Sequence, residues 1–177
     1  MATSTIAKAW GGTAALCLLE RTLFASSSEN AVPALFGLVL LLNCVGTSFA
    51  LLLLGMKVGG ARKKHGVAYP QMYATGTSAE DVKFNCIQRG HQQALETYPS
   101  FLACSLAGGF SFPLVTAAAG AVWIVARLKW AAAYAENGAD GRYSSAWSRF
   151  IWHSLLCVFA TASCTAFALL GKYSESR

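Results

Sequence analysis

In a chain with few charges, the residues able to do chemistry stand apart. Asn85, Arg89, Gln92, Gln93 and Glu96 are spaced so that a helix, at about 100° per residue, carries them within roughly a third of its circumference. By the same rule Arg127, Trp130 and Tyr134 share one face of a second helix. Together the two stripes offer guanidinium groups, carboxamides, a carboxylate and a phenol. Guanidinium binds carboxylate bidentately, a glutamate side chain accepts an ammonium, and amides match peptide groups. That chemistry suits a zwitterionic or anionic ligand. A Glu–Arg pair and an amide stripe can equally serve to hold helices together in lipid. From the residues alone both readings stand.

The elements that position these stripes lie in a membrane. Of the 177 residues 55% are hydrophobic and only 12% charged, about half the charged share of a soluble domain. This composition disfavours a soluble enzyme, a disordered tail or a nucleic-acid binder. The net charge of +6 then suits anionic headgroups or an anionic substrate. Pro33 to Met56 is uncharged and longer than the roughly 20 residues that span a bilayer. Phe150 to Gly171 is a second span, interrupted by His153. The apolar stretch from Thr97 to Ala126 is too long for one crossing, and Gly108, Gly109 and Pro113 punctuate its middle, so it reads as a helical hairpin. The expected fold is all-α: an integral membrane four-helix bundle with an additional N-terminal segment. The chain divides into an extension at 1–32, the bundle at 33–171 and a polar tail at 172–177. Ala9 to Leu19 reads as an interfacial or re-entrant helix, or a retained targeting segment, and Ser26 to Asn30 as a loop. Lysine and arginine concentrate around the first and third loops, which places both in the cytosol or its organellar equivalent and both termini opposite.

The hairpin sets the register of the two stripes. With its apex near Ser111 and Phe112, Glu96 and Arg127 stand at equal depth, Gln93 opposite Trp130 and Arg89 opposite Tyr134. The arm above Glu96 covers about 22 Å, less than the roughly 30 Å of hydrocarbon, so the charges fall at the membrane edge within reach of each other. There they line a donor-rich pocket, whose groups match a small peptide such as glutathione. His91 points away from the first stripe and reaches a site only on a neighbouring subunit. Arg62-Lys63-Lys64 follows the first span as a topology anchor. Gly55 and Gly59 form a small-xxx-small pair, which favours close helix contact. The six cysteines read as buried free thiols with no close-pair spacing, and no metal-ligand pattern is present.

Phe84-Asn85-Cys86-Ile87-Gln88-Arg89-Gly90-His91-Gln92-Gln93-Ala94-Leu95-Glu96-Thr97-Tyr98-Pro99 resembles the signature of the MAPEG family, the membrane-associated proteins of eicosanoid and glutathione metabolism. It is most similar to the microsomal glutathione S-transferase 3 branch. Ala61 to Lys64, Val67, Tyr69 to Tyr73, Trp123 to Val125 and Arg127 extend the resemblance, which runs from about residue 33 to 168. It implies a homotrimeric bundle that binds glutathione between subunits, through Arg62, Arg89, His91, Gln93, Glu96 and Tyr134. It also implies conjugation of an apolar electrophile, or reduction of a lipid hydroperoxide, by a thiolate held near arginine, with Arg142 the candidate for that arginine. Three features depart from the family pattern. Gln93 stands where asparagine is usual, Trp130 where the first of two tyrosines is usual, and the loop from Glu136 to Gly141 is acidic where relatives tend to be basic. They motivate a second expectation, a catalytically silent accessory subunit of a larger membrane complex. The resemblance places the chain in the endoplasmic reticulum. The Ser/Thr/Ala-rich, acid-poor start suggests a mitochondrial membrane as the alternative.

Overall fold

The computed structural model describes residues 3–24 and 31–175. The loop expected at Ser26 to Asn30 and the end of the polar tail lie outside the described residues. Among those described, all regular elements are helical. They are α1 (Thr3–Phe24), α2 (Ala31–Val39), a π-helical turn (Leu40–Gly46), α3 (Thr47–Lys64), α4 (Ala79–Ser111), α5 (Pro113–Asn137), a 3-10 turn (Ala146–Arg149) and α6 (Phe150–Glu175). Three helical stretches, Ala34–Lys64, Pro113–Asn137 and Ala146–Ser174, are long and apolar enough to cross a membrane.

Four such helices were expected, and α4 differs for a physical reason. Its 33 residues reach about 50 Å, well beyond the hydrocarbon thickness. Its apolar arm covers only the part beyond Thr97, and the remainder carries the polar stripe. This helix lies in the middle of the bundle and packs most extensively on α6 and α5. A capping box starts it: the Ser78 hydroxyl accepts from the Asp81 N–H at 3.1 Å, and the Asp81 carboxylate accepts from the Ser78 N–H at 3.2 Å. The hairpin turns at Phe112, as the glycines and Pro113 foretold, with the Phe112 N–H closing onto the Gly108 carbonyl at 2.9 Å. Proline at the first position of α5 costs nothing, because that N–H has no helical partner anyway.

The core is built on Leu51, Leu54, Phe101, Trp123, Trp130, Ile151 and Val158. Trp123 stacks on Phe101 with ring centroids 5.1 Å apart. Small residues let the backbones close in. Gly108 meets Thr161 and Ala162 of α6, and Gly120 meets the Asn43 carboxamide. On the outside, Leu41, Val45, Phe49, Leu52 and Met56 form an exposed apolar stripe suited to lipid.

The first span runs from Ala31 to Lys64 without a break, but it contains a wide turn the sequence did not announce. The π turn rotates Asn43 into the core, fully buried. There its amide donates to the Ser105 hydroxyl and to the Thr116 carbonyl, both at 2.9 Å. The Thr47 hydroxyl in turn donates to the Asn43 carbonyl and, at 3.3 Å, to that of Cys44. Main-chain acceptors displaced by a π turn need such partners inside lipid.

The N-terminal helix α1 contains the segment that reads as interfacial or re-entrant. It packs on α6 and α5, with Thr13, Cys17 and Glu20 buried at helical spacing and Leu16, Leu19 and Leu23 exposed. Glu20 is 7% exposed. Its carboxylate accepts from the N–H groups of Leu114 at 2.7 Å and Val115 at 3.0 Å. These are orphan donors at the N-terminus of α5, where the helix dipole also favours an anion.

Candidate functional site

The polar ridge of α4 forms as its spacing predicts, but its members choose other partners. Arg89 and Glu96 stand two helical turns apart on the same helix and pair bidentately, with nitrogen–oxygen distances of 2.5 and 3.1 Å. Both side chains remain accessible, 39% and 47% exposed. The expected pairing of Glu96 with Arg127 across the hairpin does not form. Arg127 is buried and donates instead to the Gln93 carboxamide oxygen and, at 3.0 Å, to the Thr97 hydroxyl. Its guanidinium carbon lies 5.1 Å from the ring centre of Trp123 and 5.8 Å from that of Trp130. The rotation of α5 explains this, because it turns Arg127 under two indoles and away from the open face. Thr97, which closes the arrangement, was not singled out by sequence. Its only signal is the i+4 spacing from Gln93.

Trp130 is also buried, and its indole nitrogen has no hydrogen-bond partner. Tyr134 meets it edge-on at 5.2 Å and lies near enough to Arg89 to act on its charge, as the hairpin register requires. Tyr143 also packs on Trp130, at 6.4 Å, and its hydroxyl accepts from the Trp152 indole at 2.9 Å. Arg142 lies over the Tyr143 ring at 5.3 Å and donates to the Ala139 carbonyl. It therefore stands at the same end of the bundle as the ridge, one aromatic ring removed from Trp130. Among the described residues, no hydrogen bond or ion pair joins it to Arg89 or Glu96.

Arg62 and His91 stand apart from this group. His91 faces α3, where a Cβ on Gly55 would sit 3.6 Å from the imidazole. Gly59, the other half of the small-residue pair, has nothing within 4 Å of such a Cβ, so within one chain the pair makes one close contact and not two. Arg62 is largely buried. Its guanidinium donates to the carbonyls of Gln71 at 2.5 Å, Val67 at 3.3 Å and Ala68 at 3.4 Å, and covers the Tyr69 ring at 4.4 Å. It thereby folds the loop after α3 back on that helix. A cleft of about 550 Å³ opens beside it, lined by Met56, Gly59, Lys63 and Val67 among others. Two more ridge residues hold the same loop. Asn85 exchanges two hydrogen bonds with the Ala74 backbone at 2.8 and 3.0 Å, and Gln92 accepts from the Tyr73 hydroxyl.

One face of the chain thus carries Arg89, Glu96, Gln93 and Tyr134, while Arg62 and His91 belong to the side of α3. The first set offers a cation and an anion already paired to each other and open to exchange. No group of three or more potential metal ligands occurs among the described residues. A family model described as MAPEG family matches residues 29–168. The match covers well over half of the chain, including α2 to α5 and most of α6, and leaves α1 outside.

Proposed function

The chain belongs to the MAPEG family, which includes glutathione-dependent transferases and peroxidases, and from that premise we propose that it is a membrane-bound enzyme of this type. The substrates are glutathione and an apolar electrophile or lipid hydroperoxide. The observation that carries this reading is the accessible Arg89–Glu96 bridge. A zwitterionic peptide can replace it group for group, its carboxylate taking Arg89 and its ammonium taking Glu96. Gln93 and Tyr134 stand beside the bridge to meet peptide and thiol groups. Arg62 and His91, on the side of α3, suit a site shared between copies, which supports a homotrimer. Arg142 is the group assigned to the thiolate. A cation there favours the ionised sulfur, which attacks the electrophilic carbon as the leaving group departs. In peroxide reduction two glutathiones are oxidised to their disulfide while the hydroperoxide becomes alcohol and water. The signature around Arg89 favours the microsomal glutathione S-transferase 3 branch, and with it the endoplasmic reticulum membrane.

A second reading rests on Trp130. Its buried indole occupies the place of a usual phenol, and the indole nitrogen has no hydrogen-bond partner, while α1 adds a docked helix beyond the family match. Both features suit a silent accessory subunit of a larger complex, in the mitochondrial membrane as the alternative setting.

Arg89→Ala and Glu96→Ala separate the two. Each removes a charged hydrogen-bond partner of the peptide, a loss of about 1.5–3 kcal/mol, so glutathione affinity falls roughly tenfold or more. Titration calorimetry of the detergent-purified protein reads this, with helix content unchanged. Full affinity retained in both variants would sink the proposal.

A further inference from the structure

The loop after α3 is held in a particular way. Arg62, from α3, grips the Gln71 carbonyl. Asn85, from α4, grips both main-chain groups of Ala74. Between these two anchors lies Tyr73, whose hydroxyl donates to Gln92. Asn85, Arg89, Gln92 and Glu96 follow one another at intervals of four, three and four along a single ridge of α4. The main chain of residue 74 is thus fixed at one end of that ridge, and the hydroxyl of residue 73 is fixed further along it. Asn85 and Gln92 are about 10 Å apart along the axis. The phenol must cross this distance, and Arg89 lies between. Its hydroxyl is therefore held at Gln92, which lies between Arg89 and Glu96 along the helix.

We propose that Tyr73 is a ligand-contacting residue that reads the carboxylate of the γ-glutamyl end of glutathione, with the loop from Gly66 to Ser78 as the wall that presents it. The inference rests on the glutathione reading above and adds to it the residue that selects the peptide's charged end. When the peptide opens the bridge, its carboxylate takes the place of Glu96 on Arg89. The Tyr73 hydroxyl then turns from Gln92 to that carboxylate, exchanging a neutral acceptor for a charged one. Hydrogen bonds to charged groups are about twice as strong as neutral ones, so the exchange favours the liganded state. No covalent step is involved. The loop keeps its Arg62 and Asn85 anchors throughout.

The test uses the full chain in detergent with Tyr73→Phe, which keeps the ring and removes only the hydroxyl. The KM for glutathione is expected to rise about tenfold with kcat unchanged at saturation. The second arm uses glutathione lacking the α-carboxylate of its glutamyl residue. Wild type and variant are expected to bind this analogue equally, because the group Tyr73 reads is gone. A merely structural role would weaken both peptides by the same factor, and that result overturns the assignment. Equal glutathione KM in wild type and variant overturns it too and leaves the enzymatic reading standing. A wild-type protein that binds no glutathione at all overturns both.

Discussion

Gly108→Val is expected to prevent α4 and α6 from closing on each other. A Cβ on Gly108 would overlap the Thr161 hydroxyl and lie 2.8 Å from the main-chain nitrogen of Ala162. A side chain can swing aside, but a helix backbone cannot, so the two helices must separate. They form the most extensive contact in the fold, and in lipid no hydrophobic force compensates for lost packing. Overpacking of this kind costs about 3 kcal/mol or more. Denaturant titration in mixed micelles should place Gly108→Val far below wild type, with Gly108→Ala between them. Gly59→Ala is the control. Nothing lies within 4 Å of its new methyl group, and its midpoint should match that of wild type. Equal midpoints for Gly108→Val and wild type would mean that the helices do not meet as described.

Arg127→Ala is expected to strike stability, whereas Arg89→Ala strikes binding. Arg127 is 2% exposed. It joins α5 to α4 through Gln93 and Thr97 and fills the space between Trp123 and Trp130. Truncation leaves a cavity between two indoles and removes the donor of the half-buried Gln93 carboxamide, at a cost of about 3 kcal/mol or more. Lysine does not rescue it, because an ammonium cannot stack between two indoles or reach both acceptors with a planar fork. Arg89 presents the opposite case. Its bridge to Glu96 is accessible, and such pairs contribute at most about 1 kcal/mol to folding. Thermal unfolding in detergent should show a large loss for Arg127→Ala and Arg127→Lys and a small one for Arg89→Ala. A reversed order would put Arg127 in the ligand site and Arg89 in the scaffold.

These two arginines also show what the sequence disclosed. The ridge of α4 was readable because Asn85, Arg89, Gln92 and Glu96 obey helical spacing and so share one face of the helix. The hairpin was readable because Gly108, Gly109 and Pro113 interrupt an apolar stretch too long for one span. The partners were not. Depth along a hairpin follows from counting residues, but rotation about the α5 axis depends on which indoles fill the core, and that rotation took Arg127 away from Glu96. The π turn was hidden for a similar reason. Asn43 can enter the core only because Gly120, far off in sequence, leaves room for its carboxamide. Glu20 was passed over as one charge in a short apolar segment. Its role appears only when the unpaired N–H groups of Leu114 and Val115 are brought against it. Periodicity reports what a helix presents, not what another helix brings to it.

The central claim is that the Arg89–Glu96 ridge holds glutathione with its sulfur ionised. The ultraviolet difference spectrum of the detergent-purified protein with glutathione tests it most directly, because thiolate absorbs where thiol does not. The account predicts a thiolate band that saturates with glutathione at neutral pH and disappears in Arg89→Ala. No band at millimolar glutathione would contradict it, and would leave a MAPEG bundle that has kept its fold without the chemistry.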